Sequence, residues 1–113
     1  MNHSHQEFSG RSIVVHVSDR TEDLERATRT AISLEQAYPG VQVRIIVNGQ
    51  ALAGMTAFST DLLPQNTQIG ACSLGLGRLG IDPETLDAGI KILPTAPLEI
   101  AEAQFNGASY IRL

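Results

Sequence analysis

The chain has 113 residues, 42% of them hydrophobic and 18% charged, with 8 basic against 12 acidic side chains and a net charge of -4. That acidic balance, with a pI near 5.2, excludes the basic footprint of a nucleic-acid binder, and the scattered Lys and Arg form no block for an anionic membrane. The length suits one domain with a real core, and no apolar stretch approaches the ~20 residues of a membrane-spanning helix.

Residues 1–10 are polar, with neither the basic region nor the apolar core of a signal peptide, and are expected to form a disordered leader. Met1-Asn2-His3, with His5 nearby, is a donor set for copper(II) or nickel(II) if the terminal amine is free. Flexible leaders carry histidines by chance, so no metal is assigned, and no cofactor is expected. Residues 11–113 read as a single domain.

Within it, strands and helices alternate. Residues 12–17 are β-branched and almost wholly apolar, as in a strand covered on both faces. Asp19 offers an N-cap with Glu22 three residues later, in capping-box spacing. Leu24, Ala27, Ala31, Leu34 and Tyr38 recur at helical spacing, and Pro39-Gly40 stops that helix. Residues 41–47 form a second strand, ending at Asn48-Gly49. Residues 50–63 read as a helix interrupted by Gly54, with Leu52, Met55 and Phe58 on its core face. A third strand covers 67–72, followed by a loop that opens into a short, glycine-loosened helix. Asp82-Pro83-Glu84 has the form of another helix start. A short strand over 89–93, a helix over 98–106 and a strand over 109–113 complete the chain. Repeated crossovers require parallel strands, so the expected fold is a three-layer α/β/α sandwich around a five-stranded parallel sheet.

Parallel strands place all their carboxyl ends on one edge, where open α/β sheets bind ligands. His16, Ser18, Asn48, Gly49, Cys72 and Ser73 fall there. Cys72 is the only cysteine of the chain, so it forms no internal disulfide, and a lone thiol fits a reducing, cytoplasmic compartment. A thiol between a strand end and a helix start sits in a field that favours the thiolate. The opposing reading is an inert, buried Cys acting as a small hydrophobe. His16 is either an acid-base partner of that thiol or a strand-end histidine bonded to backbone. Asn48-Gly49 is also ordinary turn chemistry. Gly75-Leu76-Gly77-Arg78-Leu79-Gly80 spells G-x-G-x-x-G, but it starts three residues after Cys72 and no acidic residue ends a following strand, so it is not a dinucleotide fingerprint. Arg78 beside it is a candidate anion contact, against the commoner reading of a solvated arginine.

The ordered set His16-Val17-Ser18, Tyr38-Pro39-Gly40-Val41, Val47-Asn48-Gly49, Ala71-Cys72 and Leu79-Gly80-Ile81 resembles the DsrE/DsrF-like family. So does the tail from Pro94 through Glu99-Ile100 and Gln104 to Gly107-Ala108-Ser109-Tyr110-Ile111. The resemblance implies strand order 4-3-2-1-5 and homo-oligomers built on dimers or trimers, a trimer being the first expectation here. It further implies sulfur relay, with persulfide carried on Cys72 and a sulfur donor or acceptor protein as partner. The strand-end placement then puts His16 and Asn48 where they tune or orient that cysteine, with Gly49 beside them and Ser18 and Ser73 at the rim. Relatives of this kind often follow the cysteine with glycine and asparagine, where this chain has Ser73 and Leu74. The competing expectation is a non-catalytic oligomeric module of the same fold, binding a small ligand or serving a regulatory role, with Cys72 as one wall of its cleft.

Overall fold

A computed structural model of the chain describes residues 7–113. Its centre is an all-parallel sheet of β1 (Ser12–Val17), β2 (Gln42–Val47), β3 (Thr67–Cys72), β4 (Lys91–Leu93) and β5 (Ser109–Arg112), in the order β4-β3-β2-β1-β5. The three central strands carry the core. Val14, Val15, Val17, Val43, Ile45, Ile46, Val47, Ile69 and Ala71 are all buried, which explains why these strands read as continuous apolar runs and not as alternating ones. Connections from β1 to β4 step across the sheet in one direction, and the return from β4 to β5 reverses it. Right-handed crossovers therefore put α1 (Asp23–Ala37), a 3-10 segment (Gly49–Ala57) and α2 (Ser73–Leu79) on one face, and α3 (Ala96–Phe105) on the other. The Arg44–Glu99 ion pair, 2.7 Å, ties α3 to β2 on that second face.

Several local expectations change. Asp19 does not cap α1. The helix starts at Asp23 with Glu22 at the cap position and no side-chain cap bond. The Asp19 carboxylate instead accepts from the Ser18 hydroxyl at 3.0 Å and from Arg112 at 3.1 Å, an alternative that a surface carboxylate takes when a strand from elsewhere brings it a guanidinium. Leu24, Ala27 and Ala31 form the buried stripe, whereas Tyr38 closes the helix and stays 41% exposed. Residues 50–63 are not an α-helix but two 3-10 pieces, Gly49–Ala57 and Thr60–Leu62, with Phe58 and Ser59 extended between them. The cause is composition and packing: Gly49, Gly54, Thr56 and Ser59 are poor helix formers, and Gly54 lies so close to Leu24 that a Cβ would stand 2.7 Å from its Cδ1. Leu52 and Met55 are still fully buried. The helix start at Asp82 yields one 3-10 turn, Pro83–Thr85, with the Asp82 carboxylate accepting from the Glu84 N–H at 2.9 Å. No loop precedes α2, because its first residue follows Cys72 directly. Of the leader expected over 1–10, residues 7–10 form a turn, and Phe8 donates its N–H to Pro39 and sets its ring edge-on to Tyr38. His3 and His5 lie outside the described residues.

Asp87 joins two of these irregular pieces. Its carboxylate accepts from the Thr60 N–H and hydroxyl and from the Gly89 N–H, at 2.8–3.0 Å. The backbone N–H of Thr60, then that of Gly89, holds its carboxyl below the usual carboxylate range. A depressed folded-state value means that the stabilisation is complete above the unfolded value, about 3.9, and is lost as pH falls through the folded one. Asp87→Asn is expected to lower the urea midpoint at pH 7, with the gap from wild type closing as pH falls below the unfolded value and through the folded one. A gap that persists in acid would contradict this assignment.

The junction of β1 and β2 allows a second test. Gly49 has φ +60°, and a Cβ there would stand 2.6 Å from the Ser18 carbonyl oxygen. Gly49→Ala is expected to cost about 2–3 kcal/mol in urea unfolding, from left-handed strain plus displacement of backbone. An unchanged midpoint would show that the two strand ends are not held this closely.

Candidate functional site

β1 and β2 end in register, Val17 opposite Val47, and the chain beyond them is fastened backbone to backbone. The Asn48 N–H donates to the Val17 carbonyl at 3.0 Å, and the Ala51 N–H to the Ser18 carbonyl at 3.2 Å. Asn48 therefore leaves the sheet at a fixed height and angle. β3 ends one strand further on, where Cys72 is at once the last strand residue and the cap position of α2. Beyond β4, Thr95 and Pro97 begin α3.

These ends enclose a pocket of about 540 Å³. Cys72, 5% exposed, lies at its base. Asn48, Gly49 and Gln50 form one wall, Leu74, Gly75, Arg78 and Leu79 of α2 another, and Thr95 and Pro97 the third. Gly75 is required by close approach: a Cβ there would meet Leu52 Cδ1 at 2.5 Å, so α2 presses directly on the 3-10 segment. The glycines of the G-x-G-x-x-G string thus run through a helix and past its end, with none in the strand-to-helix turn that a phosphate would need.

Three of the six residues expected at this edge, Asn48, Gly49 and Cys72, line the pocket. His16, Ser18 and Ser73 do not. His16 is buried behind Asn48, with Nε2 2.9 Å from Asn48 Oδ1 and Nδ1 2.6 Å from the Tyr110 hydroxyl. It is bonded to two side chains, so neither the expected contact with the thiol nor the backbone-bonded alternative describes it. Ser18 points its hydroxyl into the Asp19–Arg112 cluster, donating to the carboxylate and accepting from Arg112 at 2.8 Å. The Ser18 hydroxyl first, and Arg112 next, hold the Asp19 carboxyl below its ordinary range. Ser73, the first residue of α2, is exposed.

Gln50, which ends the second strand with Asn48 and Gly49, also lines the pocket, whereas Thr95, Pro97 and Tyr110 were not expected at this edge. Thr95 and Pro97 follow β4 as the other lining residues follow their strands, so the carboxyl-edge rule would have found them. Tyr110 becomes legible only with strand order, because β5 lies beside β1 and pairs Tyr110 with Val14, two residues before His16. Chemically, the pocket offers one thiol, two amides, a hydroxyl and a guanidinium between apolar walls. Among the described residues no group of three or more His, Cys, Asp or Glu is placed to hold a metal, and no helix is long and apolar enough to cross a membrane.

No family model and no curated protein matches this sequence. Solved structures do. A protein of unknown function from Methanobacterium thermoautotrophicum, MTH1491, superposes with a TM-score of 0.80 at 19% identity, covering 91% of this chain and 99% of that one. The ychN protein of E. coli gives 0.72 at 18% identity, again over 91% of this chain and 99% of its own. A conserved protein of unknown function from Bacteroides thetaiotaomicron, BT1422, gives 0.66 at 13% identity over the whole of both chains. At these identities the likeness establishes the fold, an α/β architecture on a five-stranded, all-parallel sheet of order β4-β3-β2-β1-β5.

Proposed function

We propose that this protein carries sulfane sulfur as a persulfide on Cys72. The observation that supports this is the placement of the chain's only thiol at the base of a pocket it shares with Asn48, Gln50, Thr95 and Arg78. A purely structural cysteine needs no cavity and no polar company. The resemblance of the ordered strand-end residues to the DsrE/DsrF-like family supports the same reading.

The step is a sulfur transfer between thiolates. The Cys72 thiolate attacks the outer sulfur of a donor such as thiosulfate or the persulfide of a partner protein. A new Sγ–S bond forms as the donor's S–S bond breaks, and sulfite or the donor thiolate leaves with the electron pair. No redox partner is needed, because the sulfane sulfur and its oxidation state pass together. Arg78 faces the incoming anion, Asn48 orients it, and Gly49 lets the chain turn without narrowing the pocket. His16 acts through Asn48. Ser18 and Ser73 stand outside the reaction. The expected setting is a reducing, cytoplasmic compartment.

Assembly belongs to this proposal. On α3, Ala96 and Ala103 face the core, while Leu98 is 69% and Phe105 88% exposed. Burying these against further copies of the chain removes the largest outward apolar side chains of that face, and a homotrimer is the first expectation.

Incubation with thiosulfate is expected to add about 32 Da, one sulfur atom, to the intact mass, reversibly with dithiothreitol and not in Cys72→Ser. Absence of the adduct with both thiosulfate and polysulfide would leave a non-catalytic ligand-binding module as the better account. Light scattering at micromolar concentration is expected to give a multiple of the 12.1 kDa chain, falling to the single chain in a Leu98→Glu, Phe105→Glu double variant. A wild-type monomer would overturn the assembly.

A further inference from the structure

His16 holds both ring nitrogens against side chains, Tyr110 on one side and Asn48 on the other. A neutral imidazole carries one N–H, so the two contacts are coupled, and the proton's position on the ring decides the direction of both. In one arrangement the Tyr110 hydroxyl donates to Nδ1, and the Nε2–H donates to the Asn48 carbonyl oxygen. In the other, Nδ1–H donates to the phenol oxygen, and the amide must turn its NH2 toward Nε2. The first keeps the Asn48 Oδ1 at Nε2, as the structure has it, and makes the Tyr110 hydroxyl the donor to Nδ1. The 2.6 Å contact of Tyr110 has the length of a bond with a hydroxyl donor, and the 2.9 Å contact of Asn48 that of N–H to a carbonyl oxygen.

This choice reaches the pocket. Asn48 is one of its lining residues, and with Oδ1 committed to His16, the amide atom left for a ligand is Nδ2, a donor. Turned the other way, the same side chain would present a carbonyl oxygen. The rest of the wall agrees in sign: Arg78 brings a cation, Gln50 and Thr95 can donate, and among the described residues lining the pocket none is Asp or Glu. We infer that the Cys72 pocket takes its ligand as a small anion rich in acceptor atoms, and that Tyr110 and His16 are positioning residues that enforce this by holding the Asn48 NH2 toward it. Identifying that anion with the sulfur donor rests on the sulfur-carrier reading above, whereas the preference for an anion does not.

Two alkylating agents of nearly equal size make the test, because neither depends on sulfur transfer. Iodoacetate is an anion and iodoacetamide is neutral, so the ratio of their rates at Cys72 measures the preference directly. Tyr110→Phe keeps the ring and frees Nδ1, letting imidazole and amide turn. It is expected to lower the iodoacetate-to-iodoacetamide ratio about three- to tenfold, the worth of one oriented hydrogen bond, while the iodoacetamide rate stays within about twofold. Asn48→Asp, which puts an acceptor where the donor stood, is expected to lower the ratio further. Nitrogen-15 chemical shifts of His16 are expected to show the Nε2–H tautomer in the wild type and a mixture in Tyr110→Phe. A wild-type Nδ1–H tautomer, or a ratio unmoved by Tyr110→Phe, would overturn the inference. A sulfur adduct with the ratio unmoved would overturn this inference alone. A shifted ratio without any adduct would support it and remove only the sulfur role.

Discussion

The common ending of β1 and β2 is the constraint on which the carboxyl edge depends. Parallel pairing alone aligns the strands but does not say what their last residues do. Here the chain after β2 is drawn against the chain after β1, through the Asn48 N–H on the Val17 carbonyl and a glycine that passes over the Ser18 carbonyl with no room for a side chain. Asn48 is thereby delivered between His16 and Cys72, one strand from each, at the ~4.8 Å strand spacing. Without that close approach the asparagine would belong to a surface turn, and the pocket wall would lose the amide that His16 holds.

Much of the fold was legible because buried parallel strands write themselves plainly. Runs such as Ile13-Val14-Val15 and Ile45-Ile46-Val47 admit few other readings, and crossover logic then makes the strands parallel. What was not legible was the character of the helices. Capping-box spacing at Asp19 and Glu22 promised a start that the protein does not use, since Arg112 arrives from the other end of the chain to claim Asp19. The stretch after β2 has the apolar spacing of an α-helix yet forms 3-10 turns, because its glycines and hydroxyl residues give helix little intrinsic support and Gly54 must pack on Leu24. In each case a contact distant in sequence outweighed a weak local preference.

The candidate site divides in the same way. Strand ends can be located from sequence, and so Cys72, Asn48 and Gly49 were found. The direction in which each side chain leaves its strand end was not readable, so His16 was expected beside the thiol when it stands behind the asparagine, and Ser18 was expected at the rim when it is bound to Asp19 and Arg112. Tyr110 is placed only by strand order: with β5 against β1, as the 4-3-2-1-5 order implies, it stands opposite Val14, two residues before His16. A residue whose partners come from two other strands carries no local signature of its role.

The two glycines inside α2 have a consequence for access. Gly75 is needed for contact with Leu52, but Gly77 faces open space, where an alanine would fit without touching anything. Each glycine weakens a seven-residue helix by roughly 0.5–1 kcal/mol relative to alanine, and so short a helix has little cooperativity to spare. This helix is also the wall that carries Leu74, Arg78 and Leu79 over the thiol. In the language of hydrogen exchange, the amides of that wall are expected to exchange through a low-energy opening, and those of β1 and β2 only with the whole fold. If α2 frays, the approach to a sulfur atom that is 5% exposed here widens beyond the 540 Å³ pocket without disturbing the sheet on which Cys72 is anchored.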